Sequence, residues 1–528
     1  MGPKGLSYNS FEVDHIASWA KAKLAHCARS HRTCNTLGSS SLPRRLLSIL
    51  DPKNIYLVET QAQGKQQKYM YCALSYCWGK GRNYLTTTQN LAERKKHIGF
   101  GDLPQTIKEA ILISNAIGIY YLWVDAICIV QNDPQDWAEQ AAEMCGIYSG
   151  AHLTISATNS NDVEKGFLSK RMQSQVVQLK GVTGTRDIAP VYALEKPKHR
   201  YLAEAIPSVE TPLFYRAWTF QERFLSSRVL HFYPEELTWE CDEERSCECS
   251  GILDDFLDSS HEMSGGKWGL LSKPGVIRPF SYTSWNLEII WEYTNLSLTY
   301  ETDRLPALLG MANFFKLRGL RNYVAGIWLD DFPLCLAWTA RKCSLNPRTS
   351  TKGIPSWSWA SVPGRIAAMD SARGATIAFN AKLLSEKRCS LEMSPEERDQ
   401  QDLSLVIETY AISLGSNQEV KVHLHNITGS GGVSFIHYQT ESFPLHLDRA
   451  LPTNLSVDLI SLLLLQTRKT GSDNYSDHVE EITLVVYPSE DGSGTYYRIG
   501  TCQINSLEDE GTIPMFGHDT VYGEFVLV

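Results

Sequence analysis

Apolar residues recur at two different periods along this chain, and the alternation between them lays out its architecture. Ile16, Trp19, Ala20 and Leu24 fall at helical spacing within Phe11 to Leu24, which predicts a docking helix in an N-terminal segment covering residues 1–50. Ile55-Tyr56-Leu57-Val58 and Tyr69 to Ser75 are aliphatic and aromatic runs divided by a turn at Gly64, and they predict a strand pair. After Asp102-Leu103-Pro104, the positions Ile107, Ala110, Ile111, Ser114 and Ile117 share one helical face, with a polar N-terminal cap expected and Gly118 as the stop. The almost unbroken apolar run from Ile119 to Ile129 predicts a strand buried on both faces. Asp133-Pro134 opens a helix lined on one side by Trp137, Ala141, Met144, Cys145 and Tyr148, and His152 to Ala157 predicts a third strand. Strand, helix, strand, helix, strand is the order of a parallel α/β sheet. Ligands bind beyond the carboxyl ends of such strands, so Ser75, Tyr76, Asp125 and Ser156 are candidates for one crevice.

Residues 158–212 lose this periodicity and read as an insertion. Phe214 to Ser226 is helical by pattern, with Trp218, Gln221, Glu222 and Leu225 on one face, and Val229 to Trp239 reads as strand. Trp285 to Leu320 reads as mostly helical, while Tyr323 to Trp328 and Pro355 to Val362 read as short strand pieces. From about residue 370 onward, β runs such as Ile482 to Tyr487 and Tyr496 to Gly500 are separated by Gly, Ser and Asp. The expected fold class is α/β: a parallel-sheet module at 51–240, a helical and aromatic middle at 241–370, and a β-rich region at 371–528.

A length of 528 residues exceeds what one hydrophobic core supports, which agrees with several domains. The formal charge of -9 and the lack of a basic run argue against a nucleic-acid partner. No apolar leader opens the N-terminus, and the most lipid-like run, Leu459 to Leu465, is far too short to span a bilayer. A cytoplasmic protein without a membrane partner is expected. The 13 cysteines, an odd number scattered among apolar motifs, then read as reduced core thiols.

Three dense motifs set polar residues in apolar, aromatic surroundings where they are costly unless paired or used. They are Ala73-Leu74-Ser75-Tyr76-Cys77-Trp78-Gly79, Leu122-Trp123-Val124-Asp125-Ala126-Ile127-Cys128-Ile129-Val130-Gln131, and Arg216-Ala217-Trp218-Thr219-Phe220-Gln221-Glu222-Arg223. Together with Leu103-Pro104-Gln105-Thr106-Ile107, they resemble the fungal heterokaryon incompatibility (HET) domain family. Asp303 to Ala307, Ala325 to Trp328 and Pro355 to Ala360 look like segments that often follow such a domain. The resemblance implies a role in fungal non-self recognition ending in growth arrest or programmed cell death, through other incompatibility proteins or self-association.

HET domains in turn look like distant relatives of TIR domains, which implies a TIR-like module here. Leu74-Ser75-Tyr76 matches the end of the first TIR strand, and Trp218 with Glu222 matches the Trp-x-x-x-Glu helix of the NAD-cleaving members. About sixty residues separate that helix from the strand at Leu153 to Ala157, a longer interval than in TIR domains. The resemblance implies NAD as substrate, Glu222 as the catalytic carboxylate, and Ser75, Tyr76, Asp125 and Trp218 as substrate-binding residues. Such a carboxylate suits the chemistry, since cleaving the nicotinamide N-glycosidic bond develops oxocarbenium charge on the ribose. Each residue also has a structural alternative. Glu222 can be an ion-pair partner of Arg216 or Arg223, and Trp78, Trp123 and Trp218 can be core anchors. Asp125 and Ser75 can satisfy backbone groups at strand ends. A non-catalytic adaptor is the competing functional class.

Cys27, His31 and Cys34 have ligand-compatible types, and Cys241, Cys247 and Cys249 form a second cluster that can complete a metal site. Zinc fingers repeat tighter pairs, so the spacing favours small buried hydrophobes over a structural zinc, and the sequence establishes no cofactor.

Overall fold

A computed structural model describes residues 12–35, 42–60, 69–80, 84–168, 176–179, 191–194, 210–248, 284–317, 319–340, 354–368, 376–379, 382–387, 404–413, 434–438, 441–447, 460–469, 478–489, 493–507 and 521–527. The chain forms two compact units. The first comprises residues 1–278, 296–298 and 306–314, and the second 279–295, 299–305 and 315–528.

The first unit is built on an eight-stranded sheet. Its strands are β1 (Arg45–Ser48), β2 (Tyr56–Glu59), β3 (Cys72–Ser75), β4 (Tyr121–Trp123), β5 (Leu153–Ser156), β6 (Arg228–Phe232), β7 (Leu237–Cys241) and β8 (Arg245–Cys247). In space they run β2-β1-β4-β3-β5-β6-β7-β8. The four central strands, β4-β3-β5-β6, are mutually parallel, and antiparallel strands flank them on both sides. The α/β class therefore stands, as a mixed sheet. Every residue of β3 and of β5 is buried, which explains their continuous apolar character.

Four helices differ from the sequence reading or refine it. Helix α1 (Val13–Ser30) runs past Leu24 and buries Ile16, Ala17, Ala20 and Cys27. Helix α2 (Gln105–Ile117) buries the expected face and ends on Gly118 in the left-handed region, at φ 94°, but its N-cap is Pro104 and no side chain caps it. Ile107, Ile111 and Ile113 on α2 are fully buried, and each contributes about 1.5–3 kcal/mol. Helix α3 (Pro134–Gly150) buries Asp136, Gln140, Met144, Ile147 and Tyr148, whereas Trp137 is exposed. The buried face shifts because Asp136 is drawn inward: it accepts from the Val130 N–H at 2.8 Å and pairs with the buried Arg45. Helix α4 (Ala217–Leu225) follows a 3₁₀ turn at Pro212–Tyr215 that takes up the start of the expected helix.

The strand readings need correction at four places. Ile55 to Val58 does not pair with Tyr69 to Ser75; β2 pairs with β1, whose four residues are too short a run to stand out in the sequence. The run Ile119 to Ile129 is strand only at β4, because the Asp125 carboxylate accepts the Ala126 N–H at 2.7 Å and opens a helical turn, Asp125–Cys128. Val229 to Trp239 is a hairpin of β6 and β7, turned between Phe232 and Leu237. Pro355 to Val362 is turn and 3₁₀ helix, since Ser358 folds back to accept from the Ala360 N–H at 3.1 Å. Within the 158–212 insertion, Val176–Leu179 pairs with Val191–Leu194, and most of the remainder lies outside the described residues.

Asp133 caps α3 by accepting from the Gln135 and Asp136 N–H groups at 3.0 and 3.3 Å, with Pro134 as the first helical residue. Asp133→Ala is expected to cost about 1 kcal/mol, readable as a lowered urea midpoint at unchanged m-value.

The second unit holds a helical run, π-type at Ser284–Ile290 and α-type at Trp291–Tyr293, two two-stranded sheets and a nine-stranded sheet spanning residues 376–527, while helix α5 (Pro306–Lys316) belongs to the first unit as far as Phe314, so the expected helical stretch Trp285 to Leu320 is helical only in parts. That sheet is antiparallel except where Thr495–Leu507 meets Val521–Leu527. The run beyond Leu459 is its strand Ile460–Lys469. Ala325 and Gly326 both take positive φ, 44° and 92°, at the two-residue turn joining Tyr323–Val324 to Ile327–Trp328. The Gly326 carbonyl accepts from both Trp285 and Trp359 indoles, at 3.0 and 2.8 Å. The Trp-rich segments downstream of the three dense motifs thus serve this core. Among the described residues, no helix is long and apolar enough to cross a membrane.

Candidate active site

The connections of the sheet determine where a site can form. β3 leads through α2 to β4 on one side, and β5, on the other side of β3, leads onward to β6. The carboxyl ends of β3 and β5 therefore flank a topological switch point, where open α/β sheets bind ligands. Ser75 and Ser156 are register partners there.

Helix α4 brings Glu222 to the same place. Ser75 Oγ donates to Glu222 Oε2 at 2.5 Å, joining the first and third sequence motifs. Burial pushes the Glu222 carboxyl up to about 7, against the opposing pull of the Arg216 charge and the Ser75 hydroxyl. Asp125, from the second motif, adds to the rise through its own negative charge. Asp125 is half-buried, and its carboxylate accepts from Trp78 Nε1 at 2.7 Å. Burial raises its pKa too, opposed chiefly by Arg216.

Two residues join this group that the sequence reading did not place in the site. Arg216, at the start of α4, donates from Nη1 to the Tyr76 carbonyl at 2.5 Å, and its charge opposes the rise in pKa of both Glu222 and Asp125. Tyr148 on α3 donates to the Leu74 carbonyl at 3.3 Å and lies near enough to lower the Glu222 pKa by hydrogen bonding. The signal for Arg216 was its place two residues before the Trp-x-x-x-Glu pattern that begins at Trp218; Tyr148 carried only the signature of a helix lining. The Tyr76 hydroxyl is buried beside Asp125, and burial, with the charge and hydrogen bonding of that carboxylate, raises its pKa well above the ordinary value.

The remaining candidates are dispersed. Trp218 stands half-buried, edge-to-face with Trp137 of α3 at 6.4 Å. Trp123 is fully buried in the core, edge-to-face with Tyr148 at 5.5 Å. Ser156 turns to Thr158, at 2.9 Å, and Thr158 meets His231 at 3.3 Å, so it serves a different chain of hydrogen bonds. Arg223 is engaged by Glu240, at 2.7 Å from Nε.

Glycine and threonine in the motifs brace the crevice. Gly79 holds φ 70°, and a Cβ there would lie 2.3 Å from Asp162 Oδ2 and 2.7 Å from Asp162 Cα. The same loop accepts the Thr106 N–H at the Val163 carbonyl, 2.9 Å, which accounts for the Leu103 to Ile107 motif. Gly79→Ala combines left-handed strain with a backbone clash and is expected to cost at least ~1–2 kcal/mol, measured by equilibrium denaturation.

All three motifs begin within one stretch of chain that has a family match. Residues 71–222 match the family model described as Heterokaryon incompatibility protein (HET). No curated protein and no solved structure gives a match. The matched stretch opens on the residue before β3 and closes on Glu222, so the Ser75–Glu222 contact ties its two ends together. Over residues 71–222, less than a third of its length, the chain is therefore similar to the heterokaryon incompatibility domain.

Proposed function

We propose that this domain is a TIR-like NAD-cleaving N-glycosidase acting in the cytoplasm in fungal non-self recognition, where NAD loss arrests or kills the cell. The observation that carries the reading is the Glu222 carboxyl, held by Ser75 at 2.5 Å at the switch point of a parallel sheet, with half-buried Asp125 close enough for its charge to act on it. In the reaction a water oxygen bonds to ribose C1′ as the C1′–N bond breaks. Nicotinamide leaves as a neutral base with the bonding pair, and the water proton passes to Glu222 or to solvent. Ionised Glu222 stabilises the oxocarbenium charge, and Asp125 accepts hydrogen bonds from ribose hydroxyls. Tyr76, beside Asp125, offers its hydroxyl to the same ligand, and Trp218 presents a ring one turn before Glu222.

A specific observation favours a second reading as well. Glu222 and Ser75 are only 6% and 4% exposed, which suits a non-catalytic death effector acting by self-association or partner binding. The purified full chain, incubated with NAD and analysed by chromatography across a range of protein concentrations, separates the two. Release of nicotinamide and ADP-ribose is expected, rising more than linearly with protein if self-association opens the crevice. Intact NAD at concentrations where the chain is demonstrably associated selects the second reading.

A further inference from the structure

We propose that Cys27, His31, Cys34 and Cys241 bind one Zn²⁺ that fastens the N-terminal helix to the sheet. Cys27 lies in the last turn of α1, His31 follows as its C-cap, Cys34 sits in the 3₁₀ turn Thr33–Asn35, and Cys241 ends β7. Two segments more than two hundred residues apart thus supply one cluster, whose four ligand atoms all lie within 4.8 Å of one another. His31 Nδ1 is 3.3 Å from Cys241 Sγ and 3.8 Å from Cys34 Sγ. A tetrahedral zinc with Zn–S of about 2.3 Å and Zn–N of about 2.0 Å has ligand–ligand edges of roughly 3.5–3.8 Å. Few rearrangements separate the two geometries.

The surroundings fit the charge of such a site. Three thiolates and a neutral imidazole on Zn²⁺ leave one net negative charge, and Arg228 Nε lies 3.2 Å from Cys27 Sγ to offset it. Glu244 Oε2 is buried without a hydrogen bond, 3.7 Å from His31 Nε2, on the side away from the thiols. It is placed to orient the imidazole as a carboxylate does behind a metal-bound histidine. Binding releases the three thiol protons to solvent. Cys241 pairs in register with Arg228 at the amino end of β6, so the cluster lies at the opposite end of the parallel strands from Ser75. Cys247 is buried outside the cluster, and Cys249 lies outside the described residues. In this proposal the ligand that the spacing of Cys27, His31 and Cys34 lacks comes from a distant strand.

The test is elemental analysis of the full chain, expressed with zinc supplementation and purified under reducing conditions. About one zinc per chain is expected. Cys34→Ser and Cys241→Ser lose it to background, while Cys247→Ser retains it. Should the ligand variants fail to fold, the unaltered chain is stripped and reloaded with Co²⁺. Intense visible bands with thiolate-to-cobalt charge transfer are then expected. A zinc-free chain, a disulfide among the three cysteines, or a cobalt spectrum without thiolate charge transfer overturns the proposal. Metal bound by the neighbouring His26, His31 and Glu244 set would give that last result.

Discussion

Glu222→Gln is expected to lower kcat/KM for NAD cleavage by at least ~10²–10³-fold and, at pH 8, to make the folded chain more stable. The two effects have one origin. Burial raises this carboxyl from its ordinary 4.5 to about 7, so the folded state prefers it neutral. A group raised in this way favours folding fully below 4.5, and the advantage disappears as pH rises through 7. The rise corresponds to ~3 kcal/mol, which the charged form forfeits above that range. Glutamine is neutral at every pH and retains an oxygen to accept from Ser75. Its gain in stability should therefore approach ~3 kcal/mol at pH 8 and shrink toward zero near pH 4.5, as read by urea titrations at the two pH values. A carboxylate serving only as an ion-pair partner predicts the reverse, a loss on neutralisation. The activity of the unaltered protein should also climb with pH through about 7 as Glu222 ionises.

Glu240→Ala is expected to cost about 3–5 kcal/mol. Glu240 is fully buried on β7 and accepts from Arg223 at 2.7 and 3.2 Å, from Arg245 at 3.1 Å and from His231 at 3.0 Å. Burial alone would raise its pKa, but the two guanidiniums and His231 outweigh that and hold it well below the ordinary value. Removing it leaves Arg223 and the buried part of Arg245 without their carboxylate, which is the costly way to break such a network. The stabilisation is present above pH 4.5 and is lost as pH falls toward the lowered folded value. A thermal melt at pH 7 should show a large fall in Tm for Glu240→Ala and little difference between the two proteins in strong acid. The result also bears on the motif ending in Arg223, whose last residue pairs with Glu240.

Much of the parallel core is legible in the sequence because β3, β5 and α2 each follow a single rule of periodicity, and burial on both faces of a strand leaves an apolar run. The errors fall where a side chain bonds to backbone or to a distant charge. Asp125 ends β4 by taking the Ala126 N–H, and Asp136 turns inward toward Arg45, and neither event leaves a mark in a hydrophobic pattern. The meeting of Ser75 with Glu222 across 147 positions is suggested only by the family resemblance, since periodicity carries no information about which strand end faces which helix. Tyr148 and Arg216 were hidden for the same reason. For the cysteines the sequence offered Cys241, Cys247 and Cys249 alike as companions of Cys27, His31 and Cys34, and only the packing of α1 beside β7 singles out Cys241 among the described residues.

The most direct test of the claim that Glu222 is the acting carboxylate is cellular. Total NAD and viability would be followed after induced expression of the unaltered chain and of Glu222→Gln in a fungal host, with protein levels matched by immunoblot. The account predicts NAD depletion and growth arrest with the unaltered chain, and neither with Glu222→Gln. Toxicity that persists in Glu222→Gln while NAD stays intact would contradict it.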